Sequence, residues 1–517
     1  MRRILAPAVL GVLSAAFGVA VGELVAAATR PQAGPLVAVG AAIIDATATA
    51  VKEFAVRELG TYDKPVLLGS IGLVLAVFTA VIGVLSVRRP WVAVAGGVVF
   101  GLAGVAAALS RPAAGTFDAV PSLVAAAAAS VAIVSSVRVP AAGADRWRAQ
   151  ECERPEMSSR GRVAGVPVDR RAFLQAASLV AAGAVVSGGG AVLVKRSRGV
   201  AIAESREAIR LPAAADPAEP LPGGIGAGFV TTNASFYRVD TALTVPRIDV
   251  ANWSLRVHGM VGRELRLSFE DLLKRTLIER DITLNCVSNE VGGPYIGTAR
   301  WLGVPLAPLL REAGTAAGAD QLVARSADGM TIGTPVATAL DGRDTMLCVG
   351  MNGEPLPLEH GFPVRMLTPG LYGYAGACKW LTELELTTFA GFDAYWVRRG
   401  WAADGPVKTA SRIDRPLPFA RVASGPVTVA GVAWAQGRGI KTVEVRVDDG
   451  PWRQAELDPV PSADTWVPWR LAWTATPGPH SLSVRATDRT GATQTEQRAT
   501  PFPSGATGRH TITVTAT

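Results

Sequence analysis

Hydrophobic and polar positions fall into two regimes along the chain. Up to residue 137, apolar runs follow one another with few charges. Residues 4–22, 66–87, 91–110 and 119–137 each supply the roughly 20 apolar residues that a bilayer-crossing helix needs. Residues 34–44 offer only eleven uncharged positions before Asp45, with Lys52, Glu53, Arg57 and Glu58 close behind. That is too short to cross, so 34–60 is expected as a re-entrant or interfacial helix. A fifth apolar run, 176–194, is rich in Gly and Ala. Beyond about 233 the periods shorten. WSLRVHGMV alternates as a strand, SFEDLLKR opens a helix at the N-cap Ser268 with Asp271 in the capping position, and ITLNCV reads as a strand running into Asn and Gly. This is a mixed α+β domain over 233–420. From 421 the segments TVEVRVDDGPW, SLSVRATDRTG and HTITVTAT alternate with period 2 between Gly, Pro and Asp turns. They predict an antiparallel, immunoglobulin-like β-sandwich over 421–517.

Charge orients the apolar half. The segment 138–171 holds eight Arg, and Arg88-Arg89 follow the second span. Both belong on the cytoplasmic side. The expected organisation is a four-span membrane domain, 1–138, then a cytoplasmic Arg-rich loop, 139–172. A helix at 173–196 and a linker at 197–232 follow. The linker is expected because LPAAADPAEPLPGGIGAG is rich in Ala, Pro and Gly. The protein is then a multi-pass cell-membrane protein with its soluble part on the extracytoplasmic side. Arg170-Arg171-Ala172-Phe173-Leu174 matches the RRxFL core of twin-arginine export signals, and the weakly apolar helix behind it suits one. An ordinary fifth span is the plainer alternative. That export route carries folded proteins, so an internal signal predicts a cofactor site in the soluble part. The distance from the apolar run to Ala201-Ile202-Ala203 favours an uncleaved anchor.

Composition narrows the chemistry. The net charge of +8 is scattered Arg without an aromatic-interleaved basic run, so no nucleic acid partner is expected. The four Cys, at 152, 286, 348 and 378, form no CxxC or zinc-type spacing. All four His, at 258, 360, 480 and 510, follow the apolar helices, which therefore cannot hold a bis-His haem. No haem is expected. Asp45, Lys52 and Glu53 read as solvated interfacial charges.

Three stretches carry candidate chemistry. Cys286 stands at a strand end in TLNCVSNEVGG. HGFPVRMLTPGLYGYAGACKW places His360, Arg365 and Lys379 around Gly- and Pro-rich turns, a donor set suited to an anion. Phe236-Tyr237-Arg238 precedes the first strand. Together with IGTARWLGVPLAPLL, NGEPLPLEHGFPVRMLTPGLYGYAGACKWL and GVAWAQGRGIKTVEVRVDDGPW, in that order, these segments resemble the sulfite-oxidase family of molybdopterin enzymes over roughly 230–517.

The resemblance implies one Mo-molybdopterin per chain. Cys286 would be the metal ligand, since a thiolate is a fitting soft donor. His360, Arg365 and Lys379 would hold the pterin and its phosphate. Tyr237 and Arg238 would line the site, and Ser326 or Asp328 would contact the pterin. The C-terminal domain would be of the family's dimerisation type, implying a homodimer. Three departures stand out. Val291 falls five residues after Cys286, where the family has Arg. Trp401 falls at or near the place of the active-site Tyr. Phe502 or Pro503 falls where the tail would carry another Arg. Losing positive charge from a buried pocket weakens binding of a dianion by several kcal/mol at intermediate dielectric. The expected catalytic set is therefore Cys286, Arg238 and Trp401. The expected activity is oxygen-atom transfer on a small sulfur- or nitrogen-containing substrate other than sulfite. A separate electron-transfer protein, such as a cytochrome, would be the redox partner. A non-catalytic scaffold is the alternative. A transporter is disfavoured because three of the spans carry no charge. Cys348 and Cys378 are expected as separately buried thiols, with a disulfide as the other option.

Overall fold

The computed structural model describes residues 2–59, 62–111, 114–151, 170–226 and 228–517. The chain divides into two compact units, Met1–Ala201 with Thr241–Thr244, and Ile202–Asp240 with Val245–Thr517.

Five helices among the described residues are long and apolar enough to cross a membrane: Ile4–Ala28, Asp63–Ser86, Trp91–Leu109, Thr116–Ser136 and Leu174–Ala208. The segment expected at 34–60 forms two shorter helices, Pro35–Ala46 and Thr49–Leu59. Small residues let the long helices touch. A Cβ on Gly11 would meet the Thr79 carbonyl at 2.1 Å, and one on Gly83 would meet the Pro7 carbonyl at 2.2 Å. This close backbone approach is how apolar helices associate without a hydrophobic driving force. The RRAFL segment opens the helix Arg170–Ala208. Its Lys195 pairs with Glu23 at 2.7 Å. Arg198 donates to the Ala27 and Ala28 carbonyls, satisfying the last two acceptors of the first helix. Residues 139–151 of the expected loop continue the helix Val120–Glu151, and its stretch 152–169 lies outside the described residues.

The second unit stacks two sheets at its N-terminal side. One orders as Ile278–Asn285, Ile296–Pro305, Met346–Met351 and Glu354–Pro355, with Arg365–Leu367 also pairing on Met346–Met351. The other orders as Leu265–Ser268, Ser254–Gly259, Leu381–Thr387, Gln321–Ser326 and Thr331–Pro335. Their shared core joins Leu255, Val257, Leu322 and Leu384 to Leu347, Val349, Val364 and Met366. The helix Leu306–Ala313 docks there through Leu306, Leu309, Leu310 and Ala313, one helical face, and ends at Gly314 with φ 71°. The predicted Ser268–Asp271 capping box is present.

The C-terminal part is β-rich, in two sheets. One holds Ala410–Arg415, Gly425–Trp434, Val467–Ala475 and Glu456–Leu457. The other holds Arg421–Val422, His510–Ala516, Gly478–Asp488, Ile440–Val447 and Arg453–Gln454. Val429, Trp469 and Leu471 of the first meet Val443, Leu482, Val484 and Val514 of the second in one core. This part begins about ten residues before the expected boundary at 421, because Ala410–Arg415 pairs with Gly425–Trp434.

The expected linker, 197–232, needs correction. Its first residues continue the helix to Ala208. The rest is bonded onto the sheet: the Ala215 N–H donates to the Leu277 carbonyl at 2.9 Å, and the Thr231 N–H to Thr298 at 2.7 Å. Phe229 is buried among Val287, Trp434 and Trp466. A few well-placed anchors outweigh a flexible average composition.

Candidate active site

Strand Ile278–Asn285 is buried on both faces over its last half. It delivers Cys286 into a tight turn: the Cys286 N–H donates to the Tyr295 carbonyl at 2.9 Å, and its own carbonyl accepts from Asn289 at 3.1 Å. Cys286, Cys348 and Cys378 are all free, buried thiols, so no disulfide joins the latter two. Burial pushes the Cys286 thiol up, while hydrogen bonds at Ser288 and the Lys379 charge pull it down.

Four predicted residues gather around this thiol. Tyr237 is partly buried, and burial, then the nearby Cys286, drive its hydroxyl far above the usual range. Its ring stacks on Phe236 at 5.2 Å, and Phe236 packs edge-on against His360 at 5.6 Å and Trp301 at 5.9 Å. His360 lies 2.9 Å from the Asn233 carbonyl through Nε2. Burial, with Arg365 and Lys379 nearby, lowers its pKa to about 4, against the pull of that bond. At neutral pH the ring is uncharged. Because a carbonyl only accepts, Nε2 carries the proton and Nδ1 is left as the acceptor.

Arg365 is 6% exposed. It donates to the His360 carbonyl at 3.3 Å and its guanidinium sits 5.3 Å from the Trp301 ring centre. Its Nε has no partner. A buried guanidinium with an unbonded N–H is costly alone and calls for an anion. Lys379 donates to Asp240 at 2.8 Å and to the Glu359 carbonyl at 3.3 Å. Burial lowers its pKa to about 8, with Asp240 pulling the other way. Arg238 reaches the same carboxylate oxygen of Asp240 at 2.9 Å.

The other predicted residues divide. Ser326 and Asp328 form a hairpin beside the Lys379 segment, since the Ala327 N–H donates to the Trp380 carbonyl at 2.9 Å and Asp328 is electrostatically coupled to Cys378. Trp401 is buried in one apolar cluster with Val287 and Tyr372. After Gly400, with φ 89°, the chain turns and buries the indole against Tyr374, Trp396 and Phe502. Asp240, Asn233 and Tyr372 are site residues that the sequence reading missed. Only Asp240 left a trace, as a carboxylate two positions after Arg238.

Residues 242–396 match the family described as oxidoreductase molybdopterin binding domain. This is a sulfite-oxidase-like molybdopterin domain. The match encloses Cys286, Ser326, Asp328, His360, Arg365 and Lys379, with Tyr237, Arg238 and Trp401 just outside it. The chain is 34% identical to mitochondrial sulfite oxidase of Mus musculus over 286 residues, covering 47% of this chain and 52% of that protein. It is 28% identical to nitrate reductase [NAD(P)H] of Hordeum vulgare, covering 46% of this chain and 33% of that one. Among solved structures it matches the sulfane dehydrogenase SoxCD from Paracoccus pantotrophus at 25% identity and TM-score 0.47, over 52% of this chain and 75% of that one. The chain spans about half the length of the mammalian relatives it matches. Residues 242–396 thus carry a molybdopterin-binding oxidoreductase domain, similar in sequence to the mammalian sulfite oxidases.

The site suits that cofactor. A buried free thiol is the donor such a metal takes. The unpartnered Arg365 Nε, beside neutral His360 and charged Lys379, suits a phosphate.

Proposed function

We propose that the chain is a membrane-anchored molybdopterin enzyme, with its soluble unit on the extracytoplasmic side. It moves one oxygen atom and two electrons to or from a small sulfur- or nitrogen-containing substrate other than sulfite. It holds one Mo-molybdopterin per chain and no haem, and a separate electron-transfer protein such as a cytochrome is its electron partner. The C-terminal part is of immunoglobulin-like type and joins two chains. The observation that carries the reading is the convergence of the Cys286 thiol and the anion-seeking Arg365, both within the molybdopterin-binding match, with Tyr237 just before it.

When bound, the cofactor supplies the two-electron redox cycle and the oxygen transfer. The chain supplies the rest. Cys286 would anchor the metal as thiolate, Arg365 and Lys379 would neutralise the phosphate, and the neutral His360 would help hold the pterin. Tyr237 keeps its proton at any physiological pH, so its hydroxyl serves as a donor. Val291, in place of an expected Arg, removes one of the charges a dianion would need.

The test is molybdenum and pterin content of the full chain from a host that makes the cofactor, beside Cys286→Ala, followed by turnover of sulfoxides, N-oxides and sulfite. About one molybdenum per chain, lost in the variant, is the expected result. Folded protein free of metal and pterin would favour a non-catalytic scaffold, and efficient sulfite turnover would overturn the substrate assignment.

A further inference from the structure

A cavity of about 250 Å3 lies between the end of strand Ile278–Asn285 and the C-terminal sheets. Its wall includes Asn285, Tyr372, Lys408, Ser411, Trp434 and Gln494. It begins at the residue before Cys286. Ser411 and Gln494 are fully engaged: Ser411 donates to Gln494 Oε1 at 2.6 Å, and Gln494 Nε2 donates to the Gly508 carbonyl at 2.7 Å. Two other wall groups are not. Asn285 and Trp434 are each 3% exposed. Asn285 Oδ1 and Trp434 Nε1 have no hydrogen-bond partner. One is an acceptor and the other a donor, and a buried pair of this kind is costly until something fills the space between.

Among the described residues of the wall, Lys408 is the one Lys or Arg. Lys408 Nζ donates to the Gly505 carbonyl at 2.7 Å and to Ser504 Oγ at 3.2 Å, both neutral acceptors. Among the described residues no carboxylate pairs with it. One ammonium proton and the whole charge remain for a ligand. Val291 contributes only apolar surface, and the exposed Glu290 places a carboxylate at the rim.

We propose that this cavity is the substrate subsite, that Lys408 is its charge-selecting residue, and that it takes a small monoanion bearing a hydrogen-bond donor. This rests on the placement of the metal at Cys286 proposed above. One positive charge balances one negative charge. The Trp434 N–H takes an oxygen acceptor, and the Asn285 carbonyl takes a hydroxyl or amine on the same ligand. A dianion would bring a second charge with no partner, next to Glu290.

Three unreactive probes separate these features: 2-hydroxyethanesulfonate, ethanesulfonate and sulfate. Their binding to the full-length, cofactor-loaded chain is measured by calorimetry, with molybdenum content determined on the same samples. We expect 2-hydroxyethanesulfonate to bind roughly tenfold tighter than sulfate and severalfold tighter than ethanesulfonate. Lys408→Met should weaken it by about tenfold or more at unchanged molybdenum content, and Lys408→Arg should retain most of the affinity. Preference for sulfate, an affinity indifferent to Lys408→Met, or no binding of any probe would overturn the proposal. The last would mean that water alone fills the cavity. Absent molybdenum with intact, Lys408-dependent binding would instead sink the enzyme reading and keep the cavity as a monoanion site.

Discussion

Asp240 is the residue whose removal tests the electrostatics of the site most directly. It stands between Lys379 at 2.8 Å and Arg238 at 2.9 Å, with its own side chain 4% exposed. Stranding a buried charge usually costs about 3–5 kcal/mol. Here Lys379 has a cheaper route, because burial already holds its pKa near 8. In Asp240→Asn, the pKa falls further and the amine sheds its proton. The loss is then capped by the proton that the wild type holds and the variant does not. A lysine with a folded pKa of about 8 gains RT ln(1 + 10^(8 − pH)) from its proton: about 0.4 kcal/mol at pH 8, about 1.4 at pH 7 and about 2.7 at pH 6. The variant should match the wild type near pH 9 and fall progressively behind as pH drops. The exposed side of the pair, Arg238, adds at most about 1 kcal/mol and no pH dependence in this range. Urea unfolding of the cofactor-free chain in detergent, followed by tryptophan fluorescence, measures it, since ten of the twelve Trp lie beyond residue 250. A stability difference equal at pH 6 and pH 9 would refute the account.

Further outcomes follow from the same geometry. Cys286→Ala should abolish molybdenum binding while leaving the melting temperature of cofactor-free protein within a few degrees, because a small thiol leaves a small void; a large drop would assign the residue to packing instead. Trp301→Leu should cost about 3 kcal/mol or more, since the indole is fully buried and also carries the Arg365 guanidinium, and denaturant titration reads it. Asp488 accepts five hydrogen bonds, from Thr490 twice, Ala492, Thr409 and Arg438. Burial alone would raise its carboxyl, but these donors hold it well below the usual range. Its stabilisation is complete above the unfolded carboxylate pKa of about 4 and is lost as pH falls toward the folded value. Asp488→Asn should cost about 1–3 kcal/mol at pH 7 and flatten the acid limb of the stability profile.

Much of this molecule was legible from local pattern. The strand alternation, the Ser268 cap and the helix at Leu306 rest on neighbours a few positions apart, and they appear as read. The importance of the segments that carry Cys286, His360, Arg365 and Lys379 was legible because they form an ordered set of motifs. Three features were not. Asp240 acts on Lys379 across 139 positions, so nothing local marks it as a counter-ion. The setting of Trp401 depends on the left-handed turn at Gly400 and on Phe502 far along the chain, which no local pattern shows. The stretch 209–232 has a linker's composition, yet a handful of backbone bonds and one buried Phe229 decide its path.

The strand that ends at Cys286 is held partly by the C-terminal part. The Thr283 N–H donates to the Asp464 carbonyl at 2.9 Å, its hydroxyl accepts from the Trp466 N–H at 2.7 Å, and its carbonyl accepts from Gln436 at 3.1 Å. Those partners flank Gly425–Trp434 and Val467–Ala475, neighbours in one sheet. During synthesis, then, the thiol leaves the ribosome about 180 residues before Asp464 and Trp466 exist to hold its strand. The geometry at Cys286 therefore matures late, because the strand that carries it gains these partners only once residues 464–466 have been made. A thiol placed early in the chain waits for a sheet made much later.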